Sequence, residues 1–416
     1  MTYPLRILIL TSNTGYAHNA AANAFREWCE YLYGEKIIVE IELLLENSHA
    51  NYHKLVNFYN FIQRNIPLLH NLYYAILEYQ KDLQDIRPGK PFVGKNYWIK
   101  RLQDFSPDVI LSTHCQINLG YFDLAKQILD SHLICMTYCT EIDGGFGFTH
   151  NWINPKVDIF WTQTPEVSAQ AVKMGLRPEQ VFDWGTLLNR SFYEPVLTEE
   201  DEKAFLQNEL GLQADRFTVL LGTGGAGANN HLKFLRQLLP LEKRIQVIAL
   251  CGKNAVTKTK LDEWQVSHPN FSLCALPFTN QMAKLLQISS VVVARPGART
   301  AIESIHCGCP MIFNLMGGVM PQELLAMRYF KDRDIAHSVH WAKELRIILE
   351  FWLDAPENYR QLKTRVIASK LNHHPETIMK SIMTNIQEKS KDGSFFWDIN
   401  PVSLETNIFD HSSRSP

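Results

Sequence analysis

The chain has 416 residues, 46% of them hydrophobic, which is more than one core usually holds and predicts two domains plus a tail. The formal net charge of -2 and the isoelectric point of about 6.7 give no global positive field, which argues against a nucleic-acid partner. The apolar runs stop well short of the roughly 18 residues that a membrane-spanning helix requires. The eight cysteines lack zinc-ribbon spacing and no signal peptide is recognised, so we expect reduced thiols and a cytosolic, soluble or peripherally membrane-bound protein.

The first predicted element is a buried strand that leads through a turn into a helix. The strand is RILILTS, the turn carries Gly15 and His18, and the helix is indicated by apolar residues that recur every three to four positions as far as Cys29. The turn therefore lies at a helix N-terminus. A lone histidine in such a place is more often structural than catalytic, and the position alone leaves both roles open.

Short apolar strands alternate with helical stretches in both halves of the chain. Further strands of the first half are DVILSTH, HLICMTY and DIFWTQT, and those of the second half are FTVLLGT, IQVIALCG, FSLCALPF and SVVVARPG. This alternation predicts α/β domains with parallel sheets. An acidic stretch after Pro195 resembles a linker, so we assign residues 1–192 and 193–388 to two domains and the polar residues 389–416 to a loosely ordered tail.

A glycine-rich loop in the second half has features of a phosphate site. The sequence LLGTGGAGANN places Gly222, Gly224, Gly225 and Gly227 between a strand and a helix. Glycines there let backbone N–H groups approach phosphate oxygens at a helix N-terminus. A plain tight turn explains the same pattern equally well.

A second strand, turn and helix of the same half lies in VVVARPGARTAIESIHCGCP. Thr300 and Glu303 have the spacing of a capping box, in which the glutamate merely accepts a backbone N–H. In the functional alternative, the Glu303 carboxylate accepts hydrogen bonds from two vicinal ribose hydroxyls, with Arg295 or the helix end near a diphosphate. Spacing alone does not separate the two interpretations.

Several stretches resemble one family, in order, across about residues 5–385. They are TSNTGYAHNAAANAF, DGGFGFTHNWINPKVD, VFDWGTLLN, LLGTGGAG, ALCGKN, LPFTNQMAKLL, RPGARTAIES and MPQE. Together they resemble glycosyltransferase family 28, and within it the monogalactosyldiacylglycerol synthase and processive diacylglycerol glucosyltransferase group. The resemblance implies a GT-B fold, in which two doubly wound Rossmann-like domains face a central cleft. It also implies that the C-terminal domain holds the nucleotide sugar and the N-terminal domain the acceptor.

The resemblance assigns the donor site to the second half of the chain. Glu303 would hold the ribose, Phe278 and Met282 the uracil, and Gln322 and Glu323 the sugar hydroxyls. The other donor-site residues that it implies, near the diphosphate or in matching signatures, are Gly224, Gly225, Lys253, Asn254, Arg295, Gly297 and Thr300. Taken singly, Phe278 and Met282 are more often core residues and Lys253 a solvated surface lysine.

The resemblance also implies a catalytic role for His18, which corresponds to the histidine of the family's GGGH loop. A neutral imidazole can take the proton from an attacking hydroxyl, so that the acceptor oxygen displaces the nucleoside diphosphate in one inverting step. Backbone N–H groups, a helix dipole and Arg295 would stabilise the leaving group, and we expect neither a metal nor a further cofactor. Asp143 is the candidate to orient the imidazole, although an aspartate before Gly144 suits a turn equally well.

The chain departs from the family at two predicted contacts. Gly15, Tyr16 and Ala17 stand where relatives have three successive glycines before the histidine, which leaves the acceptor open. The sequence LLAM follows Gln322 and Glu323, where relatives continue with Gly or Glu and then Asn, which leaves galactose and glucose open as the sugar.

Residues 51–80 are rich in Tyr, Phe, Leu and Ile with interspersed basic residues, as in segments that bind a membrane interface. A helical hairpin with an aromatic face in the core explains this composition equally well. We therefore predict a peripheral hexosyltransferase that uses a UDP-sugar and a lipid acceptor, with diacylglycerol as the expected acceptor. The alternatives are a soluble acceptor, sugar-nucleotide epimerisation, and non-catalytic binding of a UDP-sugar.

Overall fold

A computed structural model of the protein describes residues 3–65, 69, 72, 75, 94–129, 132–222, 230–371, 374–390, 397 and 399–401. Twelve strands of this part form two six-stranded sheets. The first sheet contains β1 (Leu5–Thr11), β2 (Ile37–Leu43), β3 (Val109–Ser112), β4 (Ile134–Tyr138), β5 (Ile159–Thr162) and β6 (Val181–Asp183). The second contains β7 (Phe217–Leu221), β8 (Ile245–Leu250), β9 (Leu273–Leu276), β10 (Val291–Ala294), β11 (Met311–Asn314) and β12 (Ala336–Val339).

Helices connect these strands and cover both sheets. Those of the first half are α1 (Ala17–Tyr33), α2 (Leu44–Ser48), α3 (Ala50–Asn65), α4 (Lys95–Phe105), α5 (Tyr121–Leu129) and α6 (Pro165–Lys173). Those that follow are α7 (Glu199–Ala204), α8 (His231–Leu238), α9 (Ala255–Ser267), α10 (Met282–Ile288), α11 (Ala298–His306), α12 (Glu323–Asp332), α13 (Ala342–Asp354), α14 (Pro356–Ala368) and α15 (Pro375–Lys389).

All strand pairs in both sheets are parallel. The first sheet has the order β2-β1-β3-β4-β5-β6 and the second the order β12-β11-β10-β7-β8-β9. Their central strands are almost wholly buried apolar runs, such as Leu5–Thr11, because helices cover both faces. The predicted α/β class with two parallel sheets is confirmed.

The last helix crosses back to the first sheet. The apolar face of α15, including Ile378, Met379 and Ile382, is buried in the same core cluster as β1 and α1. Trp397 and Ile399, from the predicted tail, are buried in that cluster too. The predicted boundaries had placed α15 in the C-terminal domain, whereas its apolar stripe packs on the N-terminal one.

Candidate active site

The order of the strands places the loops after β1, β3 and β10 where ligands bind in open parallel sheets. In each sheet, two neighbouring strands continue into connections that run to opposite sides, and a crevice forms outside their carboxyl ends. These pairs are β1 and β3 in the first sheet and β7 and β10 in the second. His18 follows β1 and Thr113 follows β3, while Arg295 and Gly297 follow β10. The loop after β7, with the predicted Gly224 and Gly225, lies outside the described residues.

His18 lies in the first turn of α1 and is fixed by backbone from β3. Its Nδ1 is 2.7 Å from the carbonyl oxygen of Thr113, and the hydroxyl of Thr140 lies 3.3 Å from the same nitrogen. Because a carbonyl only accepts hydrogen bonds, Nδ1 carries the proton and Nε2 keeps its lone pair. Burial lowers the pKa of His18 to about 4, so the ring is neutral at pH 7.

A second histidine, His114, packs against His18 with ring centroids 4.5 Å apart. Its Nδ1 accepts the backbone N–H of Gln116, so its Nε2 donates to Thr14 Oγ1, 2.5 Å away. Burial lowers the pKa of this ring well below the usual value, with a smaller decrease from the neighbouring His18. The sequence analysis did not select His114, although its place at the carboxyl end of a predicted strand was a usable signal.

Glu141 is another group near the histidine pair that the sequence analysis did not select. It follows Thr140, and burial raises the pKa of its carboxyl to about 7. The indole N–H of Trp152 lies near the carboxyl and opposes this increase in pKa. Trp152 Nε1 has no hydrogen-bond acceptor in good geometry among the described residues. The Trp152 ring is also 6.0 Å from the His18 ring, so Glu141 and His18 flank one indole.

The structure does not bring Asp143 to His18. Asp143 Oδ2 accepts from Arg328 Nε of α12 at 2.5 Å, and Arg328 also donates to the carbonyl of Gly144. Asp143 Oδ1 accepts the N–H of Gly144 at 2.8 Å, as in a turn. Asp143 therefore links the two domains. The His18 imidazole, which we expected Asp143 to orient, is oriented by the carbonyl of Thr113 instead.

On the opposite side of the cleft, Glu303 and Arg299 form a buried ion pair. Arg299 Nε is 2.8 Å from Glu303 Oε1, and the guanidinium also donates to the carbonyl of Leu187 and to Asn189 Oδ1. Helix α11 has Gly297 as its N-cap, with no capping box, so the capping interpretation of Thr300 and Glu303 is wrong. Burial raises the pKa of Glu303, and Arg299 opposes that increase.

Arg295 and Glu323, both predicted in the donor site, bind each other. Arg295 Nε lies 2.8 Å from Glu323 Oε1, and its Nη2 contacts the second carboxylate oxygen. Glu323 also accepts the N–H of Met320 at 2.8 Å. The neighbouring Gln322 has a buried side-chain oxygen that accepts no hydrogen bond from any described residue. A ligand hydroxyl is the kind of group that satisfies such an oxygen.

The other predicted donor residues fall into two groups. Phe278 is half exposed and is therefore not a core residue. Lys253 Nζ lies 5.8 Å from the centroid of the Phe278 ring. Met282, in contrast, packs against the C-terminal core, and Asn254 caps α9 by accepting the N–H of Thr257. Met282 thus has the core position that the alternative for an isolated residue predicted, and Asn254 has a capping role for which no alternative had been considered.

The N-terminus of α11 lacks a side-chain cap among the described residues. Its cap, Gly297, is exposed, and a Cβ built there would meet no described atom within 4 Å. In this part of the chain, its first N–H groups therefore suit an anion. Thr300 lies in this first turn and is half-buried.

The loop before α1 reaches across the cleft. The ring of Tyr16 lies 6.4 Å from that of Phe278, centroid to centroid, in an edge-to-face arrangement. His18, two residues further on, is therefore brought to the same cleft as the donor-side residues. The sequence analysis could not predict this contact, because it joins residues 262 positions apart in different domains.

Helix α3 lies beside the same loop and carries an apolar surface. Asn60 Nδ2 donates to the carbonyl of Asn13 at 2.9 Å, and Asn60 Oδ1 accepts the N–H of Gly15 at 3.4 Å. The exposed apolar stripe of α3 consists of Leu55, Phe58 and Phe61. Of the segment 51–80, whose composition suits a membrane interface or a core hairpin, residues 66–68, 70, 71, 73, 74 and 76–80 lie outside the described residues. In the described part of the chain, no helix is both long and apolar enough to cross a membrane.

Two family models match the chain. The model of monogalactosyldiacylglycerol synthase matches residues 18–187. The model of the C-terminal domain of glycosyltransferase family 28 matches residues 217–316. Together they cover more than half of the sequence, including His18 in the first model and Glu303 in the second.

Characterised proteins resemble the chain over most of its length. A processive diacylglycerol beta-glucosyltransferase of Bacillus pumilus is 23% identical over 382 residues, which cover 91% of this chain and 94% of the relative. A chloroplastic monogalactosyldiacylglycerol synthase of Spinacia oleracea is 23% identical over 397 residues, or 91% of this chain and 72% of the relative. The crystal structure of Anabaena Alr3699/HepE in complex with UDP-glucose aligns with a TM-score of 0.53 at 12% identity, covering 91% of this chain and all of that one. This likeness confirms the predicted GT-B arrangement of the fold.

Proposed function

Since the chain belongs to glycosyltransferase family 28, in the monogalactosyldiacylglycerol synthase and processive diacylglycerol glucosyltransferase group, it is a glycosyltransferase, and we propose that it transfers a hexose from a UDP-sugar to diacylglycerol. One observation carries the proposal. A neutral histidine whose Nε2 keeps its lone pair lies on the acceptor side of the cleft, while Glu303, Gln322 and the α11 N-terminus, uncapped in the described chain, lie on the donor side.

The acceptor side supplies the base. His18 Nε2 takes the proton of the attacking hydroxyl as its oxygen bonds to the anomeric carbon and the bond to the diphosphate oxygen breaks. The Thr113 carbonyl keeps Nδ1 protonated and the ring in place, so Nε2 is ready in the free enzyme. Attack on the face opposite to the leaving group inverts the anomeric configuration.

The donor side binds the nucleotide sugar and stabilises the leaving group. Backbone N–H groups at the start of α11 stabilise the diphosphate, since nothing covers that helix end in the described chain. Glu303 accepts from the ribose hydroxyls, and the free oxygen of Gln322 accepts from a sugar hydroxyl. The UDP-glucose in the structure of the Anabaena protein supports a UDP-sugar as the donor, and galactose and glucose are both candidates.

The α3 stripe is the proposed contact with the membrane. A helix that exposes Leu55, Phe58 and Phe61 along one face while Val56 and Ile62 are buried suits an interface between protein and lipid. Asn60, on the same helix, bonds to the loop that leads to His18. A lipid that enters along α3 therefore has its hydroxyl near the proposed base.

Transfer of radiolabelled sugar tests this function. We expect UDP-glucose or UDP-galactose to label a chloroform-soluble product only when liposomes contain diacylglycerol. Phe58→Asp should reduce sedimentation with liposomes, whereas Val266→Asp, at an exposed valine of the C-terminal domain, should not. Transfer to a water-soluble acceptor at the same rate, or release of an epimerised UDP-sugar without acceptor, would contradict the lipid assignment.

A further inference from the structure

Tyr16 is a large aromatic residue placed at the mouth of the cleft. It is the N-cap of α1, two residues before His18, and remains 52% exposed. Phe278 faces it from the other domain and remains 46% exposed. The two rings meet edge to face, at 69° and 6.4 Å between centroids, which is within the range of attractive aromatic pairs. Because each ring keeps about half of its surface open, the pair is not a closed part of a core.

Charged groups of the donor side lie near the same side chain. Burial raises the pKa of Tyr16, and the Glu303 carboxylate is the next cause, opposed by Arg299. Glu27 of α1 contributes a smaller increase. The phenol therefore contacts Phe278 and lies within electrostatic range of Glu303, although its backbone belongs to the acceptor domain.

We propose that Tyr16 is the acceptor-domain wall of the nucleoside pocket, where its ring borders the uridine of the bound donor next to Phe278 and on the side of Glu303. The inference rests on the proposed function, which gives Phe278 the uracil and Glu303 the ribose. The two rings meet at a steep angle, so a planar base can stack on one of them and meet the other with its edge, and such contacts stabilise nucleotides without base-specific hydrogen bonds. A glycine at this position would have no side chain that could reach the other domain.

A positioning role follows from the place of Tyr16 in the chain. It directly precedes α1, so a uridine held against its ring also fixes the first turn of that helix, which carries His18. Asn60 supports the loop from the other side through Asn13 and Gly15. Binding of the nucleotide part of the donor thus sets the distance between the His18 imidazole and the anomeric carbon of the sugar.

Calorimetric titration of the full chain with UDP and with UMP tests the proposal. Tyr16→Ala should weaken both ligands by the same factor, about 2- to 10-fold from the loss of one aromatic contact. Tyr16→Phe keeps the ring and should bind them like the wild type. Tyr3→Ala removes another exposed tyrosine at the opposite end of β1 and serves as the matched control. In steady-state assays, Tyr16→Ala should raise KM for the UDP-sugar and leave KM for diacylglycerol unchanged.

The outcomes separate this inference from the proposed function. If UDP does not bind the wild type, or Phe278→Ala binds it equally well, the assigned donor site is wrong. If Phe278→Ala weakens UDP but Tyr16→Ala does not, the donor site stands and the role of Tyr16 is overturned. A change in KM for diacylglycerol alone would also overturn it and make Tyr16 an acceptor residue. Tyr16→Phe is the control for a folding defect. If the ring contacts the uridine, Tyr16→Phe should keep the wild-type affinity for UDP while Tyr16→Ala loses part of it.

Discussion

The two sides of the cleft fix their polar groups in different ways. On the acceptor side, neutral hydrogen bonds orient His18 and His114, and burial lowers the pKa of both rings. On the donor side, the charged groups are already paired: Arg295 with Glu323 and Arg299 with Glu303. The acceptor side thus presents neutral imidazole rings at pH 7, while the donor side has its charges neutralised by ion pairs before the nucleotide binds.

This difference bears on which groups stabilise the leaving group. We expected backbone N–H groups and a helix dipole, supplemented by Arg295, but the Arg295 guanidinium is bidentate to Glu323 and also donates to the carbonyl of Met316. A paired arginine contributes less to an incoming anion than a free one. The N-terminus of α11 is therefore the better candidate, because its cap Gly297 is exposed and no described atom lies within 4 Å of a Cβ built there.

The largest expected effect is at His18. His18→Ala should lower kcat by about 10²- to 10⁴-fold, the usual contribution of a general base, while the affinity for UDP stays unchanged. The measurement is the initial rate of glycolipid formation, together with UDP titration. His340→Ala removes an exposed histidine of the C-terminal domain and should have no effect. Retention of full turnover in His18→Ala would show that the base lies elsewhere.

The next effect sharpens the description of the donor side. Arg299→Ala removes one partner of an ion pair whose side chains are only 8% and 9% exposed, and leaves the Glu303 carboxylate buried without its cation. The free energy of unfolding should fall by about 3–5 kcal/mol in denaturant titration. Arg244→Ala breaks an exposed pair with Asp354 and should cost at most about 1 kcal/mol. Equal costs for the two variants would contradict the assignment of a buried pair.

A smaller effect concerns pH on the acceptor side. The pKa of His18 is lowered to about 4, so this ring stays neutral as pH rises through the physiological range. The pKa of Glu141 is raised to about 7, so its carboxylate, which flanks the same Trp152 indole as His18, forms over that range, and we expect its charge to favour protonation of the imidazole during the reaction. We expect kcat/KM to rise through about pH 7 in the wild type and to be flat in Glu141→Gln. An unchanged inflection in that variant would exclude Glu141 as its source.

The smallest effect is expected where the two domains meet. Asp143→Asn weakens the link to Arg328, whose side chain is about one-third exposed. Such a pair contributes about 1 kcal/mol or less and is screened by salt. The melting temperature should therefore fall slightly at low ionic strength and match the wild type at high salt. A large loss of activity at every salt concentration would contradict this assignment and show that Asp143 has the catalytic role predicted from the sequence.

Sequence patterns predicted most of the buried strands and the loops after β1 and β10, because apolar runs bounded by glycine and proline are local signals. They missed β2 and β12, whose alternating or polar residues suit an exposed sheet edge, and also the short β6 and the buried, four-residue β11. The family motifs found Glu303 and His18. The partners of these residues, Arg299 and Thr113, depend on how distant segments pack, which a single sequence does not encode locally.

The anomeric configuration of the glycolipid product tests most directly the claim that the two sides act in one displacement. The sugar of UDP-glucose and UDP-galactose is α-linked, so a hydroxyl activated by His18 and attacking opposite the diphosphate gives a β-glycoside. Proton NMR of the product made by the wild type reports the coupling constant of the anomeric proton. The account predicts only the β-linked product. An α-linked product would contradict it, since retention of configuration requires a different mechanism.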